Sequence, residues 1–255
     1  MRDGISRCLR AYAEKDGRGY PDWLLRYAPI LRRWQGREWR QNRILEIGAN
    51  ENGFARFAHA PVIAVDIAPD HLRAARAAQD IIGVVADGAA LPFARDCFDV
   101  CVCMDTLEHL PEDARTGTTG EIVRVLKPSG RAVVAFPSGD AAWQAEQRVQ
   151  AAYRQYTGGS IRWLEEHATM GLPNAGEIAR RLTAGAGATH RIATSGNAAV
   201  WLWEWMWKVL MCGWPGRGNA LFQALLRGLA PLVSRCHRGP CYRTMVWIEP
   251  KHDGD

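Results

Sequence analysis

The sequence predicts an α/β protein built on a doubly wound, mainly parallel sheet. Three observations carry that expectation. From Arg43 onward, short apolar runs of strand length alternate with helical stretches. Several of those runs end at an acidic residue. The first run, Ile44-Leu-Glu-Ile47, opens into a turn rich in Gly and Asn, Gly48-Ala-Asn-Glu-Asn-Gly53, where glycine reaches positive φ at no steric cost and Asn is the next most tolerant residue. In an open parallel sheet the ligand sits beyond the carboxyl ends of the strands, so the residues at those ends matter most.

Taken in order, residues 1–40 carry ten Arg or Lys against five acids, and Trp23, Tyr27, Ile30, Leu31 and Trp34 recur there at helical spacing. This predicts an N-terminal helical cap of one or two helices over residues 1–40, ahead of a main domain at 41–255. Arg43–Ile47 is the first strand, and Phe54–His59 reads as a helix whose N-terminus faces the glycine turn. Val62-Ile-Ala-Val65 is the second strand, ending at Asp66, followed by an Ala/Arg-rich helix from Asp70 to Ala78. Gly83-Val-Val-Ala86 ends at Asp87, and Phe98–Met104 ends at Asp105. A helix over Glu121–Leu126 stops at Lys127-Pro-Ser-Gly130, and Arg131–Phe136 is the fifth strand. Helices follow at Ala141–Tyr156, Arg162–Ala168 and Ala175–Ala184. His190–Thr194 and Tyr242–Ile248 are the sixth and seventh strands, separated by an apolar, helical insertion at about 198–239.

Composition narrows the classes. At 255 residues the chain has ample length for a buried core, and its 47% hydrophobic and 23% charged content is that of an ordinary soluble protein. A formal charge of +5 is mild and favours neither nucleic acid nor membrane by itself. Seven cysteines, three of them at Cys97, Cys101 and Cys103 in or beside one apolar run, read as buried reduced thiols in a cytoplasmic protein rather than a metal site. The first residues lead into no apolar segment of the secretory kind.

Asp66 lies about 20 residues after the glycine turn, where a carboxylate can accept both hydroxyls of a ribose; Asp87 with Gly88 is placed to hold an exocyclic amine. Leu45-Glu-Ile-Gly48, Ala64-Val-Asp-Ile67, Asp87-Gly-Ala-Ala-Leu-Pro-Phe93, Phe98-Asp-Val100, Leu107-Glu-His-Leu110 and Glu121-Ile-Val-Arg-Val-Leu-Lys-Pro-Ser-Gly130 resemble, in order and spacing, class I S-adenosylmethionine-dependent methyltransferases of the subgroup that includes ubiquinone and menaquinone biosynthesis enzymes. The resemblance implies a seven-stranded Rossmann-like sheet with an antiparallel last strand and S-adenosyl-L-methionine as cofactor. Carried over by position, it implies Glu46, Gly48, Ala49 and Asn50 at the methionine end, Asp66 and Ile67 at the ribose side, Asp87 and Gly88 at the adenine, and Met104 beneath the sulfonium. The family's Gly-x-Gly-x-Gly is altered here, with Asn50 and Asn52 in place of the second and third glycines and Gly53 displaced by one.

Asp105-Thr-Leu-Glu-His109 stands where some methyltransferases carry Glu-x-x-Glu-His as divalent-metal ligands. Asp105, Glu108 and His109 are thus weak metal candidates beside a reading in which Glu-His starts the following helix and no metal is held. Glu108 and His109 are also the catalytic candidates, histidine being the side chain suited to taking a hydroxyl proton near neutral pH. Methyl transfer is a direct displacement in which alignment and exclusion of water dominate, and it can proceed without a base. No Asn/Asp-Pro-Pro-Tyr/Phe follows the fourth strand and Cys103 has no adjacent proline, which argues against nucleobase methylation and against a nucleic-acid partner.

Trp201, Trp203, Trp205 and Trp207 alternate. On a helix they split between two opposed faces, and a helix is favoured because Asn197 can cap it and Glu204 and Lys208 pair at i, i+4. From Trp205 to Ile248 there are six Arg or Lys and no acid. Two readings stand for this segment: a lid over the substrate pocket, or peripheral contact with an anionic membrane. Glu166-His-Ala-Thr-Met-Gly-Leu-Pro173 resembles a motif of bacterial methyltransferases associated with glycan or lipid assembly. The expected function is therefore methylation, at oxygen, of a small-molecule or lipid- or glycan-linked acceptor; the alternative is a noncatalytic protein of the same fold that recruits partners or membrane through its Trp-rich tail.

Overall fold

The computed structural model describes residues 21–34, 39–49, 53–212, 237 and 239–251. Asn50, Asn52, residues 1–20 and the amphipathic stretch 221–230 lie outside the described residues. Seven strands, β1 (Ile44–Ile47), β2 (Val62–Asp66), β3 (Ile81–Val85), β4 (Phe98–Met104), β5 (Leu126–Pro137), β6 (His190–Ala199) and β7 (Cys241–Pro250), form one sheet in the order β3-β2-β1-β4-β5-β7-β6. The described helices are α1 (Pro21–Arg33), α2 (Ala55–Ala58), α3 (Pro69–Ala78), α4 (Glu112–Val125), α5 (Gly139–Thr157), α6 (Arg162–Met170), α7 (Ala175–Ala186) and α8 (Val200–Cys212).

The five strands from β3 to β5 pair in parallel. β7 runs against them: the Ser138 N–H beyond the end of β5 donates to the Tyr242 carbonyl at the start of β7. The order reverses between β1 and β4, which places a topological switch point at their carboxyl ends. The doubly wound, mainly parallel α/β sheet expected from the sequence is the observed fold, with the seventh strand antiparallel.

Several boundaries differ from the sequence pattern: the helix expected over Glu121–Leu126 begins at Glu112, the third strand is Ile81–Val85, and two further differences have physical reasons. The strand expected at Arg131–Phe136 begins at Leu126, directly after α4. Phe98 pairs with Leu126 and Val100 with Arg131, so Lys127–Gly130, expected as a helix stop, is a bulge within the strand. Asn197 was expected to cap α8, but β6 continues through Ala199. The Asn197 side chain is buried and its Nδ2 donates to the Leu25 carbonyl at 2.9 Å; a buried amide is held by that pairing more firmly than by an exposed cap.

The chain divides into two compact units: residues 36–136, 173–195 and 245–255 in one, and 1–35, 137–172 and 196–244 in the other. The first is filled by β-strand apolar side chains such as Leu45, Val65, Val134 and Val246 together with Ile122 of α4 and Leu182 of α7. This is the packing of a sheet buried by its helices, and it explains why the strands read as continuous apolar runs.

The second unit joins α1, α5, α6 and α8, with Leu25, Ala145, Val149, Leu164, Trp203 and Tyr242 in its core. The alternating tryptophans sort as a helix requires: Trp203 and Trp207 are buried, whereas Trp201 and Trp205 are 60% and 46% exposed. Trp203 stacks on Tyr242 with ring centroids 3.7 Å apart. Below that pair, Glu146 is fully buried; its Oε1 accepts from Tyr242 Oη at 2.7 Å and lies 2.9 Å from His167 Nδ1. The i, i+4 pair forms too, with Lys208 Nζ 2.6 Å from Glu204 Oε1, and Arg148 completes a bidentate contact to the same carboxylate.

The two faces of α8 predict opposite mutational behaviour. Trp203→Ala empties a packed site and should cost about 3–5 kcal/mol, while Trp201→Ala should change stability by no more than about 0.5 kcal/mol; urea unfolding followed by circular dichroism separates the two.

Candidate functional site

The glycine turn after β1 is closed by two contacts. Glu46, 2% exposed, accepts the Phe54 N–H with both carboxylate oxygens, at 2.8 and 2.9 Å. A buried carboxylate needs such a donor, because an uncompensated charge in the interior is far more costly. Gly48 takes φ +76°, and a Cβ there would lie 2.1 Å from Thr106 Oγ1. Gly53 is required for another reason: its backbone is not left-handed, but a Cβ would stand 2.5 Å from Glu46 Oε2. Two glycines thus satisfy two different constraints on one turn. The helix expected over Phe54–His59 is a single turn, Ala55–Ala58, ended by His59 in the left-handed conformation, and the Phe54 N–H just before it donates to Glu46.

Register fixes how the other residues stand to this turn. Ile47 pairs with both Val65 and Cys103, and the Gly48 N–H donates to the Val65 carbonyl at 2.9 Å. Asp66 pairs with Val85 at the ends of β2 and β3. Asp87, Asp66, Gly48 and Met104 therefore follow one another across the carboxyl ends of β3, β2, β1 and β4. Ala49 is buried beside Gly48, Met104 is buried at the end of β4, and Ile67, just past Asp66, is 71% exposed. An apolar side chain left that open at the ligand end of a sheet is available to pack against a flat, apolar ligand surface.

Asp66 Oδ1 accepts the Ala68 N–H at 2.7 Å and lies 3.3 Å from His71 Nδ1. Asp87 Oδ1 accepts the Ala89 N–H at 2.8 Å, an Asx-type turn that fixes the loop's course. Gly88 brings backbone against the end of β1, since a Cβ would sit 3.1 Å from Ile47 Cγ2.

Sequence reasoning did not single out the clamp that holds this loop. Arg124 of α4 donates from Nη1 to the Phe93 carbonyl at 2.8 Å and from Nη2 to the Leu91 carbonyl at 3.1 Å; Glu121 accepts the Leu91 N–H at 2.7 Å and pairs with Arg124 Nε at 2.6 Å. The i, i+3 opposite charges within Glu121-Ile-Val-Arg124 were the available signal. Thr106 was also missed; its hydroxyl contacts the carbonyls of Ile47 and Met104 at 3.1 and 3.3 Å and so ties β1 to β4 at the switch point.

Beyond β4, Asp105 is left-handed at φ +48°. Glu108 is buried, His109 is half-buried, and their ligand atoms lie within 4.8 Å of each other. Arg115 of α4 supports this short turn by donating from Nε to the Leu107 carbonyl at 2.8 Å. Burial pushes the Cys103 thiol up to about 12 and raises Cys101 as well; both are protonated at neutral pH, which removes Cys103 as a nucleophile.

The Arg124 hydrogen bond holds the Glu121 carboxyl below its ordinary value of 4.5. A carboxylate depressed on folding stabilises the protein fully above 4.5 and loses that contribution as pH falls through the folded value. Glu121→Gln should accordingly cost about 1–3 kcal/mol at pH 7, and the gap from wild type should shrink below pH 4.5 in pH-dependent urea melts. At the turn, Gly48→Ala combines left-handed strain with a clash and should lower the melting temperature by several degrees, corresponding to about 1–3 kcal/mol.

Comparison with known proteins bears on the same segment. Residues 45–134 match the family model described as a methyltransferase domain. An uncharacterized methyltransferase of Mycobacterium tuberculosis is 37% identical over 99 residues, an alignment that takes in 36% of this chain and 38% of that protein; one from Mycobacterium leprae is 33% identical over 99 residues, covering 36% of each. The chain thus matches under two fifths of the length of these curated relatives. Among solved structures, an S-adenosylmethionine-dependent methyltransferase from Mesorhizobium loti aligns with TM-score 0.53 and 17% identity over 92% of this chain and all of that one. The Haemonchus contortus phosphoethanolamine N-methyltransferase 2, in complex with S-adenosyl-L-methionine, aligns with TM-score 0.54 and 15% identity over 95% of this chain and 60% of that one. Residues 45–134 are thus similar to a methyltransferase domain, and the sheet that carries them has the fold of the solved methyltransferases it aligns with.

Proposed function

We propose that the chain is an S-adenosylmethionine-dependent methyltransferase acting on a small-molecule or lipid- or glycan-linked acceptor, at oxygen, by direct displacement. The observation that carries this reading is the row Asp87, Asp66, Gly48 and Met104 across the carboxyl ends of four adjacent parallel strands, with the reversal of strand order falling between Gly48 and Met104. The donor set fits the cofactor. Asp66 keeps Oδ2 as an acceptor for a ribose hydroxyl while Oδ1 is fixed by Ala68; Ile67 offers an exposed apolar face; Gly48 has no side chain where any Cβ would strike Thr106. Glu46 acts on the methionine end through the turn it closes.

When bound, S-adenosyl-L-methionine supplies a methyl group on a positively charged sulfur, which an acceptor oxygen can displace without a metal or redox partner. The residues of the chain bind, align and exclude water. Glu46 and Thr106 hold the turn rigid, the Glu121–Arg124 clamp fixes the loop that carries Asp87 and Gly88, and buried Met104 keeps the end of β4 apolar. Glu108 and His109 stand after β4 as the groups that would receive an acceptor hydroxyl proton. Among the described residues no helix is long and apolar enough to cross a membrane; the reading places any lipid-linked acceptor at a peripheral contact on the cytoplasmic side.

Calorimetry with S-adenosylhomocysteine tests the cofactor assignment: micromolar or tighter binding is expected, weakened at least about tenfold, or about 1.4 kcal/mol, by Asp66→Ala. No detectable binding by the folded wild type would reject it. Methyl transfer from labelled cofactor into lysate fractions, with mass identification of the product, reports the acceptor; incorporation into RNA instead would contradict the acceptor class.

A further inference from the structure

Helix α4 carries two glycines in its interior, Gly117 and Gly120, although glycine is among the poorest helix formers. They differ in what surrounds them. A Cβ at Gly120 would meet nothing within 4 Å, whereas one at Gly117 would stand 2.7 Å from Ala89 Cβ and 3.3 Å from Ala89 Cα. Two carbon atoms rest at about 3.5–4.0 Å, so only a residue without a side chain at 117 lets Ala89 lie against the helix. Gly117, Glu121 and Arg124 fall at i, i+4 and i+7, on one face of α4. The loop from Asp87 to Phe93 is laid along that face, with Ala89 on Gly117, Leu91 on Glu121 and Arg124, and Phe93 on Arg124.

Thr118 seats the neighbouring residue. It is fully buried, and its Oγ1 lies 3.3 Å from where a Gly88 Cβ would be. That hydroxyl has no hydrogen-bond partner among the described residues, so this part of the loop is held on the helix by shape. The contact at Gly117 reaches Asp87 in one step. Asp87 Oδ1 accepts the Ala89 N–H at 2.8 Å, and the Asp87 carbonyl accepts the Ala90 N–H at 3.0 Å. Where Ala89 rests therefore decides where the Asp87 carboxylate stands. An ionised carboxylate accepts hydrogen bonds and donates none. It suits the exocyclic amine of adenine, a donor, and repels the carbonyl oxygen that hypoxanthine carries at the same place. Such selection tolerates little movement: a methyl group at 117 would push Ala89 back by roughly 1 Å, and a hydrogen bond of ordinary length does not survive that shift.

We infer that Gly117 is a specificity-determining positioning residue: by admitting Ala89 against α4 it sets the Asp87 carboxylate to select adenine at the purine end of the cofactor. The inference rests on the proposed cofactor reading and goes beyond it in naming what fixes the choice of base. Calorimetry on the full-length protein compares S-adenosylhomocysteine with S-inosylhomocysteine, in which the amine is replaced by a carbonyl oxygen. Wild type should favour the adenine ligand at least about tenfold, and Gly117→Ala should bring the two affinities within about threefold of each other. Gly117→Ala/Ala89→Gly removes one of the two facing carbons and should restore most of the preference. Gly120→Ala adds the same methyl group to the same helix with no neighbour to meet, and should leave both affinities at wild-type values. If circular dichroism shows that Gly117→Ala does not fold, Ala89→Val crowds the contact from the loop side and should lose the preference in the same way. A wild-type preference in the crowded variant overturns the inference, including where both affinities fall equally, which is what a purely structural role would give. Wild type that binds the two ligands equally also overturns it while leaving the cofactor site standing; wild type that binds neither rejects the cofactor assignment and the inference with it.

Discussion

The turn after β1 depends on a single buried carboxylate. Glu46 lies in the middle of an apolar sheet, and its two oxygens converge on one backbone N–H at the start of the segment that leaves the turn. That N–H compensates the buried carboxylate, and it can approach because Gly53 allows the chain to pass within contact distance of the carboxylate. The requirement extends to β4: Gly48 is admitted in the left-handed conformation beneath Thr106, whose hydroxyl holds the carbonyls of Ile47 and Met104. Strand pairing, turn conformation and the position of every group at the switch point are thus coupled through a few atoms.

The second loop of the site is set by a different device. The stretch from Asp87 to Phe93 has little regular structure of its own, yet two of its carbonyls and one N–H are held by the Glu121–Arg124 pair on α4. An irregular loop beside a ligand carries backbone groups that neither helix nor sheet can satisfy, and a rigid helix supplying one cation and one anion satisfies them with fixed geometry. The T-shaped packing of Phe93 on Phe98 joins the end of that loop to β4. Precision at Asp87 and Gly88 therefore comes from a helix more than 30 residues further along the chain.

In the unit built from α1, α5, α6 and α8, the core mixes aromatic rings with a polar network. Glu146, His167 and Tyr242 come from two helices and a strand and are all buried. Such a network ties the elements to one arrangement, because slippage of any of them would leave a buried carboxylate without partners. His167 was visible in the sequence within the Glu166–Pro173 motif. Its partners were not, since Glu146 and Tyr242 lie 21 and 96 positions away from their contacts. The tryptophan helix shows the same division: the helical period tells that Trp201 and Trp205 oppose Trp203 and Trp207, but only packing against Trp163 and Tyr242 tells which pair is inside.

Local pattern determined the elements and their class. Apolar runs four to seven residues long, ending at Asp66, Asp87 and Asp105, with helices between them, are sufficient for a doubly wound sheet, because burial on both faces demands such runs and parallel pairing demands the crossovers. The site's strand ends were legible for the same reason. Interactions between residues distant in sequence could not be read: Glu46 as a brace, the Thr106 tie between β1 and β4, the hold of α4 on the Leu91–Phe93 loop, the strand continuing through Asn197, and the exposed choice among four tryptophans. Each of these turns on a contact whose energy exists only once the chain has folded, so periodicity and composition carry no trace of it, and the tertiary structure alone decided them.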